Sequence, residues 1–191
     1  LWVTDGTTSG TTSHSLGLYR TNFTLYNLSS IDSIVYFFSQ NKATKECLLH
    51  KYNPSHHQLD NIHFTSEKLS TKTQPEFKVV SKGIILYAKT TADSAKLWHI
   101  DGLTNNVREA TLPSNQDSII NDVKFNTVTH LGESVVFFGH NKNVGIQLWS
   151  LNAKTLSFQL VAVFPLASDP YPNPSHFTVF HNKLFFRGLD Y

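Results

Sequence analysis

The sequence predicts an all-β fold built from a repeated, four-stranded antiparallel sheet. Three observations predict it. A Leu-Trp-like segment begins at Leu1, Leu49, Leu97 and Leu148, at intervals of 48, 48 and 51 residues. Between its copies lie paired runs of β-branched and aromatic residues, broken by short polar or glycine-containing turns. No stretch carries the long 3.6-residue apolar period of a helix.

The first strand of each repeat is expected at Leu28–Ile31, Phe77–Val80, Val128–Leu131 and Phe177–Phe180. The second follows after a tight turn, at Ile34–Phe38, Ile84–Tyr87, Val135–Phe138 and Leu184–Phe186. The breaks are Asp32-Ser33, Ser81-Lys82-Gly83, Gly132-Glu133 and His181-Asn182-Lys183. Such residues tolerate the positive φ that hairpin turns require. The Leu-Trp segment is the third strand. Asp5-Gly6 and Asp101-Gly102 are expected to turn it tightly into a fourth strand. Asn53-Pro54 and Asn152-Ala153 stand at the other two turns, which are expected to be longer or of another type. The fourth strand is read at Val107–Leu112 and Gln159–Phe164.

Four short strands every 44–51 residues is the pattern of a β-propeller blade. The expected fold is therefore a propeller of about four repeats, 1–48, 49–96, 97–147 and 148–191, in a single domain covering 1–191. In chain order the strands run as two, then three sets of four, then two. A closed four-blade ring and an arc of a larger ring both fit that count. The Pro-rich stretch Asp169–Pro174 reads as a loop joining blades.

Composition narrows the function. A length of 191 residues suits one domain. Sixteen Lys and Arg against fourteen Asp and Glu leave a net charge of +2, which gives nucleic acid no polybasic footprint. No apolar run is long enough for a transmembrane helix, so membrane insertion is not expected. The single cysteine, Cys47, excludes an intrachain disulfide framework and a cysteine-rich zinc site. The first residues lack the basic and apolar regions of a signal peptide, and the chain reads as a piece of something larger.

Leu1-Trp2-Val3-Thr4-Asp5-Gly6-Thr7 resembles the ELWxxDGT repeat family of bacterial proteins. Pro174-Ser175-His176-Phe177-Thr178 and Asn182–Phe186 resemble that family's blade junction. The later copies depart from the motif, with His50 in place of Trp and Asn152-Ala153 in place of Asp-Gly. The resemblance implies a propeller in an exported or surface protein with a binding or scaffold role. It carries over no catalytic residue.

The remaining constellations are weighed on their chemistry. Trp2, Trp98 and Trp149 recur at one place in each repeat, which favours packing between blades over sugar stacking. Ten histidines show no HExxH or fixed-spacing ligand set, so neither a metal nor another cofactor is expected. His56 and His57 would point to opposite faces if they lay on a strand. The histidines do make the net charge climb below pH 6. Asp5 and Asp101 are assigned to turns rather than to a glycosidase carboxylate pair. No phosphate loop or nucleophile elbow is present in the sequence.

The expected function is non-catalytic binding of a protein or glycan through blade-joining loops, at Leu16–Asn22, Lys68–Pro75, Pro113–Ile119 and Ala167–Ser175. Tyr171, Tyr19, Asn22 and His176 are the candidate contact residues, and Tyr171 leads because prolines stiffen its backbone. The alternative is a carbohydrate-active enzyme, or an accessory to one, acting through the propeller channel.

Overall fold

The computed structural model describes residues 1–18, 22–67, 69–70, 72–80, 83–91, 95–110, 127–141, 145–164 and 174–187. Among these residues there are sixteen β-strands and no α-helix. All strand pairs are antiparallel. Two compact units divide the chain, Leu1–Ser66 and Glu67–Tyr191.

The first unit opens with the ribbon β1 (Trp2–Val3) and β2 (Thr12–Ser13), in which Trp2 faces Ser13. The ribbon extends by one more pair, because the His14 amide donates to the Leu1 carbonyl at 2.8 Å. A four-stranded sheet follows in chain order: β3 (Phe23–Ile31), β4 (Ile34–Asn41), β5 (Cys47–Asn53) and β6 (Gln58–Ile62). Its core is aromatic, with Tyr36, Phe37, Phe38, Leu49, Tyr52, Ile62 and Phe64 buried. A register shift in β3 between Tyr26 and Ser29 places Asn27 at φ 55°. Asparagine adopts that left-handed conformation more readily than most residues.

The second unit repeats the arrangement twice and begins a third copy. One sheet runs β7 (Glu76–Val80), β8 (Gly83–Lys89), β9 (Ala95–Asp101), β10 (Val107–Ala110). The next runs β11 (Thr129–Leu131), β12 (Ser134–Asn141), β13 (Gly145–Asn152), β14 (Phe158–Phe164). The hairpin β15 (Ser175–Phe180) and β16 (Lys183–Arg187) comes last.

Burial explains why β12 reads as a continuous apolar run instead of alternating. Val135 and Phe137 join Trp149 and Leu151 in a cluster with Val80, Ile85, Tyr87, Leu97 and Ala110 of the preceding sheet. Val136 and Phe138 point the other way. With Ile146 and Leu148 they pack against Phe177, Leu184 and Phe186 of β15–β16. Both faces of the middle sheet are covered, so both sets of alternate residues must be apolar. Phe138 meets the rings of Phe164, Phe177 and Phe186 at centroid distances of 5.8, 5.5 and 5.2 Å, the range of favourable aromatic contact.

The tight turns between first and second strands fall where the sequence places them. Ile31 pairs with Ile34, Leu131 with Ser134 and Phe180 with Lys183, leaving two-residue loops. Asp32 and Gly132 have positive φ, and His181 and Asn182 both do, as a type I′ turn requires. Ser81 and Lys82 lie outside the described residues.

Of the turns after the third strands, those at Asn53 and Asn152 are longer, as expected, while the tight turns expected at Asp5-Gly6 and Asp101-Gly102 are not formed. Asp101-Gly102 is not a two-residue hairpin. It opens a six-residue turn that Asn152 opens as well, and Asn41 opens the same turn between β4 and β5. In each, the first residue's Oδ1 accepts from the amides of the third and fourth residues. These distances are 3.0 and 2.8 Å at Asp101, 2.9 and 2.9 Å at Asn152, and 2.9 and 3.1 Å at Asn41. The fourth residue is Thr44, Thr104 or Thr155, whose hydroxyl accepts from the amide two residues on. The fifth is left-handed at Lys45, Asn105 and Leu156. Asn53 opens a related turn, with Oδ1 accepting from the Ser55 amide at 3.0 Å and a left-handed His57. The turn needs a side-chain oxygen at its first residue, which Asp and Asn both supply, and not a glycine at its second. It also takes His56 and His57 off the strand.

Candidate functional site

The repeated third strands bring their key residues to one register position. His50 pairs with Phe37, Trp98 with Leu86 and Trp149 with Phe137, each on the adjacent second strand. Trp98 and Trp149 are buried, and Trp149 is part of the cluster between two sheets, with its indole N–H donating to Gln147 Oε1 at 3.3 Å. Trp2 is 66% exposed, because β1 pairs only with β2. His50 takes the tryptophan's place as a smaller aromatic, stacked on Phe37 at 5.0 Å with Nε2 2.7 Å from Ser39 Oγ. Burial pushes its pKa below the ordinary imidazole value, with Asn61 opposing. His99 is also buried; burial, then the neighbouring Arg108 charge, lowers its pKa, with Asp101 opposing.

Asp5 and Asp101 have their carboxylates engaged in turns. Asp5 accepts from the amide and hydroxyl of Thr7 at 2.9 and 2.7 Å, in a loop closed by Thr4 and Thr11. The Thr7 hydroxyl is the main cause of its lowered pKa. For Asp101 the main cause is the Thr104 amide, followed by the Thr104 hydroxyl.

Of the candidate contact residues, Tyr171 and Tyr19 lie outside the described residues, as does the whole of Pro113–Ile119. Asn22 is exposed, and its carbonyl accepts from the Lys42 amide at 2.8 Å. His176 is exposed on β15 at φ 58°, beside a register shift, with Nδ1 2.9 Å from Ser175 Oγ. Asn22 belongs to the first unit and His176 to the second.

Two features were not foreseen from the sequence. The first is a set of large apolar side chains left exposed on β14, β15 and β16. Phe180 is 59% exposed and Phe185 54%, and Leu160, Val161, Val163 and Val179 are also exposed. The exposed residues of β14 are Gln159, Leu160, Val161 and Val163, none of them charged, where an edge strand ordinarily carries charge. The second is a cluster in the first unit. His14, Tyr52 and His57 meet at their polar atoms. His14 Nδ1 lies 2.8 Å from Tyr52 Oη and 3.3 Å from His57 Nδ1. Tyr52 Oη lies 3.4 Å from His57 Nδ1. The two imidazoles stack at 5.1 Å with 27° between planes.

No protein-family model matches the chain, and no curated protein matches it. Among solved structures it is similar to TolB from Acinetobacter baumannii, at 12% identity and a TM-score of 0.46. The match covers 81% of this chain and 37% of TolB, so the chain spans well under half of that protein's length.

Proposed function

We propose that this chain is a run of β-propeller blades, related to the ELWxxDGT repeats, that serves an exported protein as a rigid, non-catalytic platform for a protein partner. The blade reading is supported by the strand count of two, four, four, four and two, each sheet ordered as its strands follow in the chain. It is supported further by the copies that begin at Leu49, Leu97 and Leu148, which fall at one register position of their sheets.

The observation that carries the binding role is the exposed apolar set on β14–β16. Large exposed apolar side chains mark contact surfaces; those of β14 lie on a complete four-stranded sheet and those of β15–β16 on a two-stranded hairpin. Their inward neighbours are locked by the aromatic packing around Phe138, so little order remains to be imposed on binding. Exposed Phe180 and Phe185 alternate along their strands with exposed His176, Thr178, Lys183 and Arg187, and apolar side chains set among polar ones suit a protein partner.

The test compares residues 1–191 with a Phe180→Ser/Phe185→Ser variant as bait against the source organism's secreted and surface fractions. A protein retained by the parent and lost by the variant supports the reading. Equal retention by both, or no retained protein, counts against it. Binding on a glycan panel alone would move the ligand class to carbohydrate. Small-angle scattering on the monomer tests the propeller: a closed ring of this length has a radius of gyration of about 16 Å, and an open arc has a larger one.

A further inference from the structure

We infer that His14, His57 and Tyr52 form a binding site for a borderline divalent transition-metal ion such as Zn2+. The argument starts from the donor set. Imidazole nitrogen is a preferred ligand of Zn2+ and its neighbours in the late first transition row. Zn–N bonds are about 2.0–2.1 Å, so two nitrogens on one tetrahedral Zn2+ stand about 3.3 Å apart. His14 Nδ1 and His57 Nδ1 are 3.3 Å apart. Tyr52 Oη, at 2.8 and 3.4 Å from them, completes a triangle close in size to one face of that tetrahedron.

Three elements aim these atoms at one point. His14 ends the β1–β2 ribbon, held by its main-chain pair with Leu1. Tyr52 is 1% exposed on β5, so its ring cannot swing away, and its hydroxyl is directed at the two imidazoles. His57 is carried in by the left-handed fifth position of the Asn53 turn. The far nitrogen of His14, Nε2, is 3.4 Å from Thr12 Oγ1, a supporting contact of the kind that orients metal-bound imidazoles. The outer side is open, since His57 is exposed, which leaves a coordination position to water. No three His, Cys, Asp or Glu side chains converge among the described residues; the third donor here is a phenol. Bound metal would fasten the ribbon to the β5–β6 turn of the same unit.

Calorimetry with Zn2+ on residues 1–191 tests this. Saturable one-to-one binding is expected, with a Tm that rises with Zn2+ concentration. His14→Ala and His57→Asn should each weaken binding by at least about 10-fold, the lower end of what even supporting residues contribute. Asparagine suits the left-handed position, so H57N removes the ligand without straining the turn. Tyr52→Phe should weaken binding as well, while His56→Ala, an exposed neighbour outside the cluster, should leave it unchanged. Circular dichroism of each variant confirms folding. Absence of saturable binding, or binding that survives His14→Ala, would overturn the site, as would a Tyr52→Phe variant that binds like the parent. Cu2+ with electron paramagnetic resonance gives a second readout, in which coupling to two nitrogens is expected and coupling to fewer counts against the pair.

Discussion

Arg108 on β10 donates from Nη1 to the carbonyl of Lys154 at 2.9 Å, although the two are 46 residues apart. Its Nη2 reaches the Ala153 carbonyl at 3.4 Å. The outer strand of one sheet is thus tied to the six-residue turn of the next. Planar guanidinium can span two neighbouring carbonyls, and a lysine ammonium cannot do so with the same geometry. Arg108→Ala is expected to cost about 1 kcal/mol, the net worth of an exposed hydrogen-bonding group. Arg108→Lys should recover little of it. Urea unfolding of the three proteins measures both.

Stability should fall in mild acid because of His50 and His99. Both titrate lower in the fold than the ordinary 6.5, chiefly through burial. The unfolded chain therefore takes up protons first as pH drops. Their contribution is complete above 6.5 and is lost between 6.5 and the depressed folded values. Urea midpoints at pH 7.5, 6.5 and 5.5 should decline across that window. A His50→Phe/Ser39→Ala double variant should show a shallower decline, since it removes one of the two groups together with its hydrogen-bond partner. An equal decline would exclude His50 as a source.

Gly83 is glycine for want of room. A Cβ there would stand 2.7 Å from both His99 Nε2 and the Ile100 carbonyl oxygen. The carbonyl belongs to a paired strand and cannot yield cheaply. Gly83→Ala is expected to destabilise by about 1–3 kcal/mol, the scale of overpacking in a tight core. Thermal unfolding of the single variant decides it, and a neutral result would mean the β8–β9 pair is softer than it looks.

Asp101 and Asn152 should be interchangeable. Each uses one Oδ1 to hold two amides of the same six-residue turn. Asp101→Asn is expected to change stability by less than about 0.5 kcal/mol, whereas Asp101→Ala should cost about 1 kcal/mol, by analogy with the loss of a capping side chain. Comparing the two by thermal unfolding separates the role of the oxygen from that of the charge.

Strand positions were legible because local residue type dictates them. The apolar runs of β4, β8 and β12 announce strands whose successive side chains are buried, and their spacing orders the repeats. The equivalence of the turns was legible too, but in a different signal. The recurring element is Asp or Asn followed three residues later by Thr, at 41–44, 101–104 and 152–155, and attention to the glycine after Asp101 obscures it. The meeting of His14, Tyr52 and His57 was not legible. His14 is separated from Tyr52 and His57 by 38 and 43 residues, and each of the three is held by a different element. Only the packing of the ribbon beside β5 brings them together. The Arg108 clamp was equally hidden, because its acceptors are main-chain carbonyls that no residue type advertises.

The six-residue turn has a consequence for how such a chain can diversify. Its backbone is set by the first, fourth and fifth residues, while the second and third are Lys42-Ala43, Gly102-Leu103 and Ala153-Lys154 in the three copies. Two pairs with one lysine each, in opposite order, and one uncharged pair are thus displayed on one and the same loop geometry. Mutation at those positions alters what the surface presents without disturbing strand register. The turn is a ready-made cassette, in which new contact chemistry can be sampled by natural drift or by peptide grafting while the sheets beneath stay in place.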